Sequence, residues 1–311
     1  MRKKVLILLV SLLPILVFAE NPTIADLVQQ MNKAQRDGDY LEALVQATAI
    51  LKQDKNHRIA KDFVHTNYQR MDMQAKERIS EIAFSEDAAD LEEVCEIYRK
   101  LSDLNDNLSE VDMPLHGGNK ITGEWDWRPE IQYYRGHYDR ARTKVYDLYR
   151  SIGMSAVKEN NMEAAYTYYE KALNTYLMSE EYPSQLENVV NNCREQALID
   201  AKSHKTDELI RSYNTYSLIA RLDSTQGIRN EQKLLKPLIA DSYVRDAEKQ
   251  LEGDLVTDWE YAYELYQTSI DWNDNAEHVK HVNAESVALR KRIAAYYREQ
   301  GNEERAKEWE R

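Results

Sequence analysis

The sequence predicts an all-α fold in which antiparallel helical hairpins stack as an α-solenoid. Turn-forming residues are few: nine glycines and six prolines in 311 residues, about half the usual share of glycine. Apolar residues recur with the 3.6-residue period of an amphipathic helix. No run of four or more residues alternates in the manner of a strand between turn signals. Short polar or glycine-containing steps separate the periodic stretches, as expected for helices joined by tight turns.

Residues 1–19 have the features of a secretory signal peptide. Arg2–Lys4 is basic, Val5–Phe18 is largely apolar, and a small residue at Ala19 provides a cleavage site. The apolar stretch is short for a bilayer span, and the alternative is an uncleaved N-terminal anchor. We expect an exported protein, periplasmic or associated with the cell surface, with no integral membrane span after signal cleavage.

The charge of the chain excludes some classes of partner. Its 41 basic and 54 acidic residues give a formal net charge of −13, and signal cleavage would remove three further positive charges. Such a chain is poorly suited to bind nucleic acid or an anionic membrane surface. The two cysteines, Cys95 and Cys193, are too few for a disulfide framework, and we expect two separate packing residues.

Residues 20–106 are expected to form N-terminal helical hairpins. Asn21 and Pro22 are predicted to cap and begin the first helix. The first helix has one apolar stripe: Ile24, Leu27, Val28, Met31 and Ala34. After Gly38, Asp39 is predicted to cap a second helix. The buried face predicted for that helix consists of Tyr40, Ala43, Ala47 and Ile50.

Residues 107–128 do not fit the helical pattern. This segment is rich in glycine and contains two of the five tryptophans, and long irregular loops in compact domains are often functional. In one interpretation it binds a glycan: Trp125 and Trp127 stack on a sugar, while Asp126 and Asn119 form hydrogen bonds. In the other, the loop folds back and buries its tryptophans, as indole rings usually are.

Residues 129–311 contain the clearest pair of helices, at 146–176. Asn160 and Asn161 are predicted to form the turn between two helices. Gly153 in the first helix and Ala165 in the second are predicted to allow the two backbones to approach closely. The space around the crossing is predicted to be filled by larger residues: Tyr149, Ile152 and Tyr169.

This pair resembles the tetratricopeptide repeat (TPR), a helix–turn–helix unit of about 34 residues. Residues 129–311 are therefore interpreted as TPR-like repeats. The second-helix pattern recurs after Gly38, Gly136, Asp258 and Gly301, and in each case an alanine stands in the first turns of the predicted helix. These alanines are Ala43, Ala141, Ala262 and Ala306. The copies are unevenly spaced. Pro129 and Pro237 fall near or within helical stretches, and a longer turn is predicted at 253–257.

The resemblance implies a peptide-binding surface, because TPR proteins bind extended peptides along a concave groove lined by the first helix of each unit. The matching positions in this chain are Arg150, Met154, Val157 and Lys158, with Lys291 and Arg298 in the last unit. Their basic character favours an acidic peptide or a C-terminal carboxylate as the partner. The alternative is that these are ordinary solvated residues of helix faces.

No motif in the chain predicts catalysis. A nucleophile elbow and a phosphate-binding loop are both missing. Glu277, His278 and His281 are spaced so that they could share a helix face, but this is not a zinc motif, and we expect neither a metal nor another cofactor. The sequence favours an exported TPR-like scaffold for protein–protein interaction. The alternative function is a glycan-binding protein that uses the Trp125/Trp127 loop.

Overall fold

The computed structural model describes residues 22–85, 87–113, 126–224 and 227–310. Within these ranges the chain forms twelve helices and no strand, which confirms the all-α prediction. The chain divides into two compact units, Met1–Ala141 and Arg142–Arg311. Within each unit, helices that are neighbours in sequence pack pairwise, as in a helical-repeat α-solenoid. The predicted signal peptide lies outside the described residues.

The first unit contains four complete helices and the beginning of a fifth. The four complete helices are α1 (Ile24–Asp37), α2 (Tyr40–Gln53), α3 (Arg58–Ile82) and α4 (Ala88–Glu110). Helix α2 packs against α1, α3 and α4, and α3 also packs against α4. The core between these helices includes Leu44, Met71, Leu101 and Leu104, each almost completely buried. The apolar face predicted for α2 is confirmed, since all four of its residues are buried.

The turn between α1 and α2 forms as predicted, but the start of α1 does not. Gly38 has a left-handed φ of +82°, which glycine adopts without steric cost. The Asp39 side chain then accepts a hydrogen bond from the Glu42 backbone N–H at 2.9 Å. The N-cap of α1 is Thr23, which forms a capping box with Asp26, so the expectation that Asn21 and Pro22 cap this helix was wrong.

Helix α5 (Arg128–Lys158) is continuous and contributes residues 128–141 to the first unit and 142–158 to the second. The helix break predicted at Gly136 was therefore wrong. Gly136 is not among the glycines with positive φ, and the residue after it, His137, lies within the helix. The segment predicted to be irregular from residue 107 begins with helix, because α4 continues to Glu110.

The second unit contains the remainder of α5 and seven further helices. These are α6 (Met162–Asn174), α7 (Tyr182–Ala201), α8 (Thr206–Leu222), α9 (Arg229–Gln250), α10 (Val256–Trp272), α11 (Ala276–Glu299) and α12 (Glu303–Glu310). From α6 onward each helix packs against the next one in the chain. Ala165, Ala262 and Ala306, predicted as small contact residues, have no exposed surface.

Gly153 serves a packing role that differs in detail from the predicted one. A Cβ atom added at this position would lie 2.9 Å from the ring of Tyr169. Tyr169 on α6 is itself 1% exposed. The glycine therefore provides space for an aromatic ring. Tyr169 is one of the residues that the sequence placed around this crossing.

Three further local features of the second unit can be compared with the sequence pattern. Pro237 lies inside α9, which agrees with its predicted place within a helical stretch. The turn before α10 ends at Leu255, because α10 begins at Val256 within the predicted 253–257 turn. On α11, Val287 is 50% exposed, whereas Ile293 and Ala294 are buried.

Candidate functional site

The C-terminal helix pair of the second unit forms a groove that contains two of the predicted partner-binding residues. Gly301, with a φ of +76°, ends the preceding helical segment. The Asn302 side chain then accepts a hydrogen bond from the Arg305 backbone N–H at 3.2 Å, so α12 folds back against α11. The groove between the two helices has a volume of about 420 Å³. Its lining residues are Val287, Arg290, Lys291, Ala294, Arg298, Trp309 and Glu310.

The groove is basic, and one of its cations already binds a carboxylate. The Arg298 guanidinium forms an ion pair with the Glu310 side chain. Arg290 Nε donates to the carbonyl oxygen of Trp309 at 3.0 Å, which ties the two helices together. Among the described residues, exposed Lys291 has no ion-pair partner. The arrangement therefore offers one unengaged ammonium group beside a guanidinium that holds an internal carboxylate.

An aromatic side chain supports the same groove. Trp309 packs edge-on against Tyr263 of α10, with ring centroids 5.2 Å apart. It is only partly exposed and belongs to the hydrophobic cluster of the second unit. A groove that combines basic groups with an anchored aromatic ring can bind both the charge and the apolar part of an acidic peptide.

The predicted binding residues of α5 are not collected on one open surface. Val157 is 2% exposed and is therefore a core residue, which corrects its assignment to a partner-binding face. Arg150 is half-buried: it pairs with Asp147 at 3.4 Å, and its guanidinium lies 5.8 Å from the centre of the Tyr146 ring. Met154 is partly exposed and Lys158 is exposed.

The loop residues expected to bind a glycan are only partly described. Trp125 and Asn119 lie outside the described residues. Trp127 is 5% exposed and packs edge-on against Tyr68 at a centroid distance of 5.8 Å. Its expected role in stacking on a sugar is therefore replaced by a packing role, since the ring is enclosed by the core of the first unit.

Asp126 is exposed but is engaged with a neighbour. Its carboxylate accepts hydrogen bonds from Arg128 Nε and Nη2 at 2.9 and 2.8 Å. The Arg128 side chain lowers the pKa of this carboxyl group through these bonds. Both oxygens of Asp126 therefore accept from Arg128, which would compete with a sugar hydroxyl for them.

Sequence reasoning missed a cavity of about 660 Å³ in the first unit. It lies between one face of α3 and the first turns of α5, and its walls include Tyr68, Asp72, Glu130, Tyr133 and Tyr134. Its volume is in the range of small-molecule sites. In the sequence, the only indication of this cavity was a row of polar residues one turn apart on α3. That signal does not indicate which second element completes the cavity.

Hydrogen bonds fix two of the tyrosines in this cavity. Tyr68 donates to Asn105 Oδ1 of α4 at 2.7 Å, and the Tyr134 hydroxyl donates to the Asp72 carboxylate. Burial raises the pKa of both hydroxyls, and the nearby Asp72 carboxylate raises them further. Both tyrosines therefore remain neutral hydrogen-bond donors throughout the physiological pH range.

His278 and the cysteines lie against neighbouring helices or in the core, whereas His281 is exposed. His278 Nε2 lies 3.2 Å from Ser269 Oγ of α10, and within the described ranges no three His, Cys, Asp or Glu side chains are grouped as metal ligands would be. Both cysteines are free thiols, as the sequence predicted. Cys193 is buried, and burial raises the pKa of its thiol to about 11, although the nearby Tyr169 hydroxyl acts in the opposite direction.

Comparisons with known proteins do not assign these sites. No protein-family model matches the chain, and no curated protein matches it. In the part of the chain that the structure describes, no helix combines the length and apolar character needed to span a bilayer. The interpretation of the groove and of the cavity therefore rests on their own residues.

Proposed function

We propose that this protein is an exported TPR-like scaffold that binds an acidic segment of another protein, with the groove between α11 and α12 as its docking site. One observation supports this proposal above the others. Lys291 and Arg298, the two cations that the TPR resemblance assigned to the last unit, line one groove together with Trp309. The features of a signal peptide in residues 1–19 support export.

The contact between Arg298 and Glu310 supports a carboxylate ligand. Arg298 already pairs with a carboxylate within the groove, so the geometry that recognises this group is present. A partner's acidic side chain or C-terminus would pair first with Lys291 and would compete with Glu310 for Arg298. Both side chains of the Arg298–Glu310 ion pair are exposed, with 46% and 44% of their surfaces accessible to solvent. Exposed pairs of this kind are weak, about 0–1 kcal/mol, so displacing Glu310 costs little.

The scaffold mechanism requires a surface that is formed before the partner arrives. Pairwise packing fixes α10, α11 and α12 relative to one another, and the Tyr263–Trp309 contact fixes the aromatic wall of the groove. A preformed groove loses little conformational entropy on binding. Since no catalytic motif was found in the sequence, we propose a binding function without catalysis.

Fluorescence anisotropy with a labelled acidic peptide tests this proposal. The probe is a short peptide of Glu and Gly residues with a free C-terminal carboxylate. Its matched comparison is the Gln/Gly peptide with an amidated C-terminus. We expect Lys291→Glu to weaken binding of the acidic probe by at least about tenfold, because an attraction becomes a repulsion. Glu310→Gln should strengthen binding, because it releases Arg298.

Lys307→Glu is the matched control. Lys307 is exposed on α12 but does not line the groove, so this variant makes the same charge change close to the site. Binding to Lys307→Glu should stay within about twofold of the unaltered protein, since a single rim charge has a modest effect. Equal binding to the two lysine variants, or equal binding of the acidic and neutral probes, would contradict the proposal.

A further inference from the structure

The cavity of the first unit carries an excess of negative charge. Asp72 and Glu130 are its two carboxylates, and Lys76 is the one Lys or Arg among the described residues that line it. Lys76 Nζ lies 2.7 Å from Asp72 Oδ2, and Asp72 also accepts the hydrogen bond from Tyr134. The cation of the cavity is therefore paired with Asp72, and no cation of the cavity walls remains for Glu130.

One oxygen of Glu130 is enclosed without a partner. Glu130 Oε2 is buried and makes no hydrogen bond to any described residue. Buried polar atoms are nearly always hydrogen-bonded in folded proteins, and leaving a charged one unpaired is costly. Glu130 lines the cavity, so a cation bound there would offset the negative charge beside this unpartnered oxygen.

The remaining walls suit the apolar part of a cationic molecule. Tyr68, Tyr133 and Tyr134 all line the cavity. Tyr133 and Tyr134 are arranged edge to face, with ring centroids 5.1 Å apart, and Tyr133 is 51% exposed at the rim. Aromatic faces attract ammonium and guanidinium groups through the negative potential of the ring, and they also cover aliphatic chains.

We propose that this cavity is a binding site for an organic cation, an alkylammonium or alkylguanidinium group, which donates its N–H groups to Glu130 and lies against the tyrosine walls. The proposal goes beyond the acidic-peptide groove, because it concerns a different unit of the chain and a ligand of opposite charge. The same chemistry occurs in free amines and in the side chains of lysine and arginine. The experiment therefore contains an arm for each source.

Isothermal titration calorimetry of the protein tests the site directly. The first probes are butylammonium and propylguanidinium chlorides, each compared with butyramide as a neutral molecule of similar size. We expect both cations to bind and the amide to bind at least about tenfold more weakly, because only the cations pair with a carboxylate. Equal affinities for the cations and the neutral amide would overturn the proposal, and this comparison needs no variant.

Glu130→Gln then tests the assigned residue. This change keeps the size of the side chain and removes its charge, so it should weaken binding of both cations by at least about tenfold. The control is Glu77→Gln, since Glu77 is exposed on α3 and does not line the cavity. Circular dichroism should give similar helix content for the two variants. Unchanged affinity in Glu130→Gln would overturn the assignment.

A further comparison identifies the source of the cation. Cadaverine represents a free amine, and N-acetyl-lysine and N-acetyl-arginine methylamides represent side chains within a polypeptide. Binding of cadaverine alone would support the site as one for free amines. Binding of the capped amino acids would support it as one for a basic side chain. Failure of all three to bind would overturn the proposal, and it would leave the groove between α11 and α12 unaffected.

Discussion

Buried alanine and glycine positions determine how closely the helices of this protein pack. Ala43, Ala165, Ala262 and Ala306 have no exposed surface, and all four were recognised from their position after a turn. Gly153 was recognised as a contact position as well, and Tyr169 was placed around the same crossing, but their direct contact was not predicted. The pattern shows that a residue is small. It does not show whether a backbone or a ring, here that of Tyr169, occupies the space.

At the residue scale, we expect Gly153→Ala to destabilise the protein. The new methyl group would lie 2.9 Å from the ring of Tyr169, and overpacking of this kind costs about 1–3 kcal/mol. Gly136→Ala is the matched control in the same helix, because the nearest atom to a Cβ there is 3.9 Å away. A mid-helix glycine replaced by alanine should stabilise by about 0.5–1 kcal/mol.

Urea unfolding followed by circular dichroism measures both changes. The midpoint should move to lower urea for Gly153→Ala and to higher urea for Gly136→Ala. If Gly153→Ala were as stable as Gly136→Ala, the ring would be able to move aside, and the proposed packing constraint at α6 would not exist.

The ends of the helices explain which boundaries could be predicted from the sequence. Gly38 and Gly301 adopt left-handed φ values, and each is followed by Asp or Asn, whose side chain caps the next helix. Gly136 is followed by histidine and stays within α5. A glycine by itself is compatible with either outcome, whereas a glycine followed by a capping side chain both ends one helix and begins another.

At the element scale, we expect Asp39→Ala to lower the free energy of unfolding by about 1 kcal/mol. The substitution removes the carboxylate that accepts from the Glu42 backbone N–H, and loss of an N-cap costs about 0.5–2 kcal/mol. Asp37→Ala is the control, because Asp37 is exposed in the last turn of α1 and caps nothing. Thermal unfolding should give a lower midpoint for Asp39→Ala only.

The candidate sites also show which arrangements a local sequence pattern can predict and which it cannot. Lys291 and Arg298 lie on one helix, so their shared face followed from helical periodicity. The cavity of the first unit needs α3 and α5, which are far apart in the chain, and the pairing of distant helices is not encoded in either pattern alone. Val157 was misplaced because the buried face of α5 depends on neighbours that its local sequence does not identify.

Across the whole molecule, stabilising contacts are mainly between helices that follow one another in the chain. Among the described residues, the first unit contains a hydrophobic cluster centred on α1–α4, and the second unit contains one centred on α9–α12. In such an arrangement stability is approximately a sum of terms within helix pairs and between neighbouring pairs. The effect of a core substitution should therefore decrease with distance along the chain.

At this scale, we expect Leu44→Ala to lower amide protection mainly in α1–α4. Leu44 is completely buried in the first cluster, and a Leu→Ala change in a core costs about 2–5 kcal/mol. Hydrogen exchange read by mass spectrometry should show faster exchange in α1–α4 and unchanged exchange in α10 and α11. Leu265→Ala in α10 should give the reverse pattern. Uniform loss of protection throughout the chain in either variant would contradict nearest-neighbour packing.

Hydrogen bonds from tyrosine hydroxyls make the pairing between particular helices of this repetitive fold specific. The Tyr68 hydroxyl on α3 donates a hydrogen bond to Asn105 on α4, and the Tyr297 hydroxyl on α11 donates one to Glu260 on α10. Because similar hairpins can exchange partners during folding, a chain of this kind is exposed to domain swapping and slipped registers. A phenylalanine in place of the tyrosine would lose no hydrogen bond if its helix paired with the wrong neighbour. Tyr68 and Asn105 are both buried, so a wrong neighbour at this position would enclose an unsatisfied hydroxyl, and the bond between them favours correct assembly.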